Sequence, residues 1–188
     1  QQSLFRILAE SSTTVTNHKI SKFEKLLKDR KPEEEYQIFL MDNPVFLNPL
    51  ASKLIPKKKL GEEFITDYVL ETLSSEYILV EIEKPSDQIF TKSNDFHHKF
   101  THAFGQVLDF IEWVEQNIAY AQKKLPNISS PTGLLIIGMR EYLNDEQIKK
   151  LNRFNKNSSK IKVLTFDDLL FNTKQLQNNI RARVKFNT

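Results

Sequence analysis

Phe64 to Pro85 reads FITDYVLETLSSEYILVEIEKP, two apolar and β-branched runs, Phe64 to Glu71 and Tyr77 to Glu83, joined by the five residues Thr72 to Glu76. Runs of this kind around a short polar link predict an antiparallel hairpin, and Pro85 ends its second strand. Side chains alternate along a strand, so Tyr77, Leu79, Glu81 and Glu83 share one face and Ile78, Val80, Ile82 and Lys84 the other. Glu81 and Glu83 therefore point together, with Asp67 on the adjacent strand. Carboxylates set among YILV and Ile82 are partly desolvated and repel one another unless a cation lies between them. Hard oxygen donors favour Mg²⁺ or Mn²⁺. The competing reading is a solvated strand end whose acids face lysines across the hairpin.

Outward from the hairpin the pattern changes period. Phe96, Phe100, Ala103, Phe104, Val107, Leu108, Ile111 and Val114 recur at helical spacing and predict one long helix continuing to Lys124. Gly133 to Met139 (GLLIIGM) is a short apolar run between turn formers, as expected of a strand covered on both faces. Asn144 with Gln147 caps a further helix, Ile161 to Leu164 is a last strand, and Thr165 with Asp168 opens a helix through about Arg181. Before the hairpin, Ser21 with Glu24 reads as the start of a short amphipathic helix. Pro32 followed by three acids starts a second over about 33 to 43, and Leu54 to Leu60, broken by Pro56, reads as an edge or irregular strand. Residues 1–18, including the run SSTTVT, read as a linker or lead-in, and residues 19–188 as one domain. This order of elements predicts an α/β domain, a mixed sheet flanked by helices on both faces.

Composition narrows the chemistry. The 188 residues suffice for one core, and with no cysteine there is neither a thiol nucleophile nor a disulfide or cysteine-bound metal site. Four glycines, none spaced as GxGxxG or GxxxxGK, exclude the usual nucleotide-phosphate cradles. The longest strongly apolar run, Leu134 to Ile137, falls far short of the roughly 20 residues that span a bilayer, so no membrane role is expected and the cytoplasm is the default. A net charge of +3 permits nucleic-acid binding without arguing for it. The chain opens on Gln1, which reads as a piece cut from a longer protein.

The run TDYVLET…YILVEIEKP, then HAFGQVLDFIEW, GLLIIG and VLTFDDLL, with EEEYQIFLMDNPVFL ahead of them, resembles the Shedu family of bacterial anti-phage nucleases, a branch of the PD-(D/E)XK superfamily, from about Lys31 to Leu170. The resemblance implies a restriction-endonuclease-like fold, cleavage of nucleic acid (DNA in the first place) with Mg²⁺ or Mn²⁺, a homo-oligomer and a bacterial cytoplasmic setting. It assigns metal binding to Asp67 and Glu81. The third position of the (D/E)-x-K tripeptide falls on Glu83 where lysine is usual, and Lys84 is one residue out of phase. The family's helical glutamine matches Gln106. Its helical acid matches Glu34, with Glu33 and Glu35 as neighbours at an undetermined phase.

Further candidates stand beside these. Lys57, Lys58 and Lys59 precede the Asp67 strand and suit a phosphate backbone or, equally, the protection of a sheet edge. His98 and His102 lie four apart on a helix but lack the HExxH glutamate, so His102 reads as a site-lining or phosphate-contacting residue rather than a zinc ligand. Trp113 reads as packing. The rival to a nuclease is a catalytically silent module that keeps the fold to bind nucleic acid or assemble subunits, with Glu83 marking the loss of activity.

Overall fold

A computed structural model describes residues 15–56, 59–60 and 64–184. Five strands form one mixed sheet in the order β1-β4-β5-β6-β7, where β1 is Ala51–Pro56, β4 Tyr68–Thr72, β5 Tyr77–Ile82, β6 Thr132–Ile136 and β7 Ile161–Leu164. The hairpin partners β4 and β5 are antiparallel, as are β1 and β4, whereas β5, β6 and β7 run parallel. Among the described residues two short strands, β2 (Lys59–Leu60) and β3 (Phe64–Ile65), pair with each other in a separate two-stranded sheet. The long strand expected from Phe64 to Glu71 is thus broken at Thr66 and Asp67, for a reason that belongs to the site.

Alternation sorts the strands' side chains into two cores. Val69, Tyr77, Leu79, Leu135, Ile161 and Val163 pack beneath α3 (His98–Gln116), α4 (Ile118–Lys124) and α5 (Asp145–Asn157). Tyr68, Leu70, Val80, Ile82, Leu134 and Ile136 pack against α1 (Asn17–Lys28), α2 (Glu33–Asp42) and α6 (Phe166–Val184). The result is the mixed α/β sandwich, helices on both faces, that the sequence predicts. α3 lies so close to β6 that a Cβ on Gly133 would stand 2.3 Å from Val107 Cγ1.

Three boundaries differ from the sequence reading. α1 begins at Asn17, with Thr16 accepting the Lys19 N–H, rather than at Ser21. Val15 is buried and its carbonyl accepts from Gln177 on α6, so a tertiary contact orders residues assigned by sequence to the lead-in. The long helix stops at Asn117, whose backbone N–H and side-chain Nδ2 both reach the Trp113 carbonyl at 2.9 Å, and α4 starts afresh. Asparagine ends a helix in this way because its amide competes with the backbone for the same acceptor. The starts of α5 and α6 are as expected: Asn144 and Gln147 form a reciprocal capping box, and Thr165 and Asp168 exchange hydrogen bonds.

The outer edge of β7 is closed by side chains. Gly133 and Ile137 donate to the carbonyls of Lys160 and Leu164, so the even-numbered residues face β6 and Ile161, Val163 and Thr165 face outward. Ser158 accepts the Ile161 N–H, Asn155 takes both the N–H and the carbonyl of Val163, and Asp168 accepts the Thr165 N–H. At the opposite edge no strand among the described residues pairs with the outer side of β1, which carries a bulge between Ala51 and Lys53 where Ser52 turns its hydroxyl to the carbonyls of Glu71 and Thr72.

Gly138 follows β6 with φ of 66°, and a Cβ there would meet the Asp87 carbonyl oxygen at 2.7 Å. Its N–H donates to Lys84 O, so the glycine holds the turn after β5 against the end of β6. Gly138→Ala is expected to cost about 1–3 kcal/mol from the left-handed backbone and the close approach together. Urea unfolding measures this, and an unchanged midpoint would refute the packing described.

Candidate active site

The hairpin ladder ends in a carboxylate. Tyr68 pairs with Val80, so Asp67 stands opposite Glu81 at the next step, but the chain bends there. The Ile82 N–H is met by Asp67 Oδ2 at 2.9 Å. This substitution of a side-chain acceptor for a backbone one explains why β4 starts at Tyr68, and it fixes the acid at the C-terminal end of β5. Gln37 on α2 donates to Asp67 Oδ1 at 3.0 Å and to Glu33 Oε1 at 3.1 Å. The Tyr68 hydroxyl in turn donates to the Gln37 carbonyl at 2.7 Å, tying α2 to the start of β4.

Glu81 and Glu83 lie at the same strand end. The Glu83 N–H donates to Ile136 O at 2.8 Å, which continues the parallel β5–β6 ladder past Ile82 without a bulge. Alternation therefore holds through Glu83, which stands on the Glu81 side, while Lys84 lines a recess with residues of α2. Burial, the Asp67 charge and then Glu83 push the Glu81 carboxyl up to about 8. Burial, Asp87 and then Glu33 raise Glu83 to about 7, against the opposing charge of Lys99. Glu33 is raised as well, by burial first and Asp67 second. Glu81 Oε2 is buried without a hydrogen-bond partner.

Crowded, raised acids with an orphaned buried oxygen suit a hard cation, which would supply the missing partner and relieve the repulsion. Among the described residues no three His, Asp or Glu side chains are gathered into a ready coordination shell. The donor set fits a cation held by two carboxylates, Asp67 and Glu81, with water completing its sphere, a mode usual for Mg²⁺.

The remaining sequence candidates divide. Glu34 is exposed and is not brought to the acids; Glu33, one residue earlier, is half-buried and reaches Asp67 through Gln37. This placement follows from Tyr36, Phe39 and Leu40 packing inward, a phase that turns Glu33 and Gln37 toward the sheet end. Gln106 is half-buried on α3 but makes no hydrogen bond to the acids. It shares a helical stripe with Lys99 and the exposed His102, at i, i+3 and i+7, and of the three Lys99 acts on Glu83. Lys57 and Lys58 lie outside the described residues; Lys59 is in β2, which pairs with β3 in a separate two-stranded sheet. Trp113 packs against the α3-side core, edge-on to Tyr120. Sequence reasoning missed Gln37, one turn after Glu33, and Asp87, hidden in what reads as a polar loop.

A mixed sheet between helical layers, with acids at the C-terminal end of its central strand, makes this an α/β domain with its candidate site at one sheet end. The family model for the Shedu protein SduA, C-terminal, matches residues 30–170, and the chain belongs to that family. No curated protein matches. Among solved structures, one described as "Structure of EndoMS-dsDNA2 complex" is similar at 14% identity and a TM-score of 0.42, over 71% of this chain and 44% of that one. The match thus spans less than half the length of that structure's chain. No helix among the described residues is long and apolar enough to cross a membrane.

Proposed function

We propose that this domain is a divalent-metal-dependent nuclease that hydrolyses phosphodiester bonds, of DNA in the first place, in bacterial defence against phage. The observation that carries the reading is the junction of Asp67 and Glu81 at one sheet end, with an unpartnered buried oxygen on Glu81. A bound Mg²⁺ or Mn²⁺ would polarise the scissile phosphate and offset its developing charge. Asp67 and Glu81 hold that charge in place; Gln37 and the Ile82 N–H orient Asp67. Glu83, on the same face and beside Asp87, orders the attacking water and accepts its proton. A bacterial cytoplasmic setting and a homo-oligomer complete the proposal as the family resemblance implies them.

The departure from the motif gives the test. Glu83→Ala is expected to lose on the order of 10² to 10⁴ in rate, the worth of a positioned proton-transfer group, while Lys84→Ala stays within about tenfold of wild type. Single-turnover cleavage in Mn²⁺ measures both. A large loss in Lys84→Ala with Glu83→Ala near normal would reverse the assignment. A wild type silent under every divalent metal would leave a nucleic-acid-binding or assembly module, a reading that glutamate at the lysine position favours.

A further inference from the structure

Beside the acids lies a recess that the chemistry above does not use. It measures about 420 Å³ and sits between the α1–α2 corner, the turn after β5 and the segment from Met139 to Tyr142. This is within the range of small-ligand sites, about 300–1,000 Å³. Leu27, Tyr36 and Met139 give it apolar walls, and Arg30, Lys31, Lys84 and Tyr142 stand among its other lining residues. Glu33 lines it too and also acts on Glu81, so the recess opens one side chain away from the candidate metal ligands. Tyr142 is 58% exposed, an aromatic side chain left to solvent beside the three basic residues and two acids of the lining.

The backbone at Arg30 is a second, independent observation. Arg30 and Lys31 donate to the carbonyls of Leu27 and Leu26, the bond pair that closes a helix with a left-handed residue at the first position beyond its cap. Glycine is the residue suited to that position, yet here arginine adopts φ of 49°. The fold accepts a strained conformation and thereby sets a guanidinium at the recess.

We propose that the recess receives one unpaired nucleotide of the strand being cut, its base stacked on Tyr142 and the adjoining phosphates held by Arg30 and Lys31. This rests on the nuclease reading and names its substrate class: single-stranded, gapped or bulged nucleic acid rather than uninterrupted duplex. A base has the flat apolar face that Tyr142 and the walls lack a partner for, and the phosphates supply the opposite charge. Three acids temper the cations: Lys31 lies 3.8 Å from Glu35, Glu33 faces the charge of Lys84, and Glu34 stands in the lining.

The test measures binding in EDTA, so that nothing is cut. The whole chain is titrated, with fluorescence anisotropy as readout, against a single-stranded DNA, an uninterrupted duplex, and that duplex with one unpaired 2-aminopurine. Wild type should prefer the two DNAs with unpaired bases and change the 2-aminopurine signal. Tyr142→Ala should weaken binding to them about tenfold or more, change duplex binding less than about twofold, and abolish the fluorescence change; Tyr142→Phe should restore it. Arg30→Gly should melt no lower than wild type yet bind every DNA more weakly, with a shallower salt dependence. Glu34→Gln should bind more tightly. Equal losses on paired and unpaired DNA in Tyr142→Ala, or Arg30→Gly binding like wild type, would overturn the proposal. The two readings fail separately. Tyr142-dependent binding without any cleavage in Mg²⁺ or Mn²⁺ would sink the nuclease and keep the nucleotide site; cleavage and binding indifferent to Tyr142 would do the reverse.

Discussion

Asp67→Asn is expected to lower cleavage in Mn²⁺ by about 10³-fold or more, because a metal's stabilisation of the transition state is worth several kcal/mol and each 1.4 kcal/mol is about tenfold. The fold should survive. Asparagine Oδ1 still accepts the Ile82 N–H that Asp67 holds at 2.9 Å, and the bond from Gln37 is lost, about 1 kcal/mol for a partly exposed pair. Calorimetry of Mn²⁺ binding beside single-turnover cleavage and a thermal melt separates the roles. Lost cleavage with lost Mn²⁺ heat and an ordinary melt is the expected set. Cleavage within tenfold of wild type would remove Asp67 from the site, and a collapsed melt would reduce it to a sheet terminator.

Glu81→Gln is expected to stabilise the metal-free protein at alkaline pH while abolishing activity. The Glu81 carboxyl rises from 4.5 to about 8 on folding, so the folded state binds its proton more tightly than the unfolded state does. A raised acid works against folding once it must ionise: the unfavourable contribution is absent below about pH 4.5, grows as pH rises, and is complete above about 8. A tenfold difference in proton affinity between the two states corresponds to about 1.4 kcal/mol, which makes the whole effect a few kcal/mol. For a chain of this length, a melting gain on the order of 5–10 °C at pH 8.5 follows, with little change at pH 4.5. Adding Mg²⁺ or Mn²⁺ should raise wild type toward the variant and leave the variant unmoved. A variant less stable than wild type at pH 8.5 would show that the Glu81 charge is already compensated.

The hairpin and its acids were legible because a two-residue period is unforgiving: once YILVEIE is a strand covered on both faces, Glu81 and Glu83 have to share a side. The ladder past Ile82 bears this out, the Glu83 N–H remaining in register with Ile136. Helical phase was less legible. Three consecutive acids at 33 to 35 offer every orientation over one turn, and only the seating of Tyr36 against Phe23 and Phe166 decides that Glu33, not Glu34, faces the sheet end. Gln37 and Asp87 escaped for another reason. Neither carries a local pattern, and each gains meaning from a partner far along the chain or across a turn: Asp67 for the first, Glu83 for the second. The break at Asn117 is a competition for one carbonyl that a count of apolar residues does not register. The start of α1 depends on Val15 meeting α6 over 160 residues away, a contact outside any local window.

The two margins of the sheet are unequal, and this limits how copies can add to one another by strand pairing. Along β7 every outward N–H from Ile161 to Thr165 is occupied by Ser158, Asn155 or Asp168, whereas no strand among the described residues pairs with the outer side of β1. A molecule with one open margin and one occupied margin behaves as a monofunctional unit: two of them can join β1 to β1, and the product exposes only occupied β7 margins. Growth by this route stops at a pair. An unlimited fibre requires two open margins per unit, and Asn155, through its two bonds to Val163, is the residue that withholds the second.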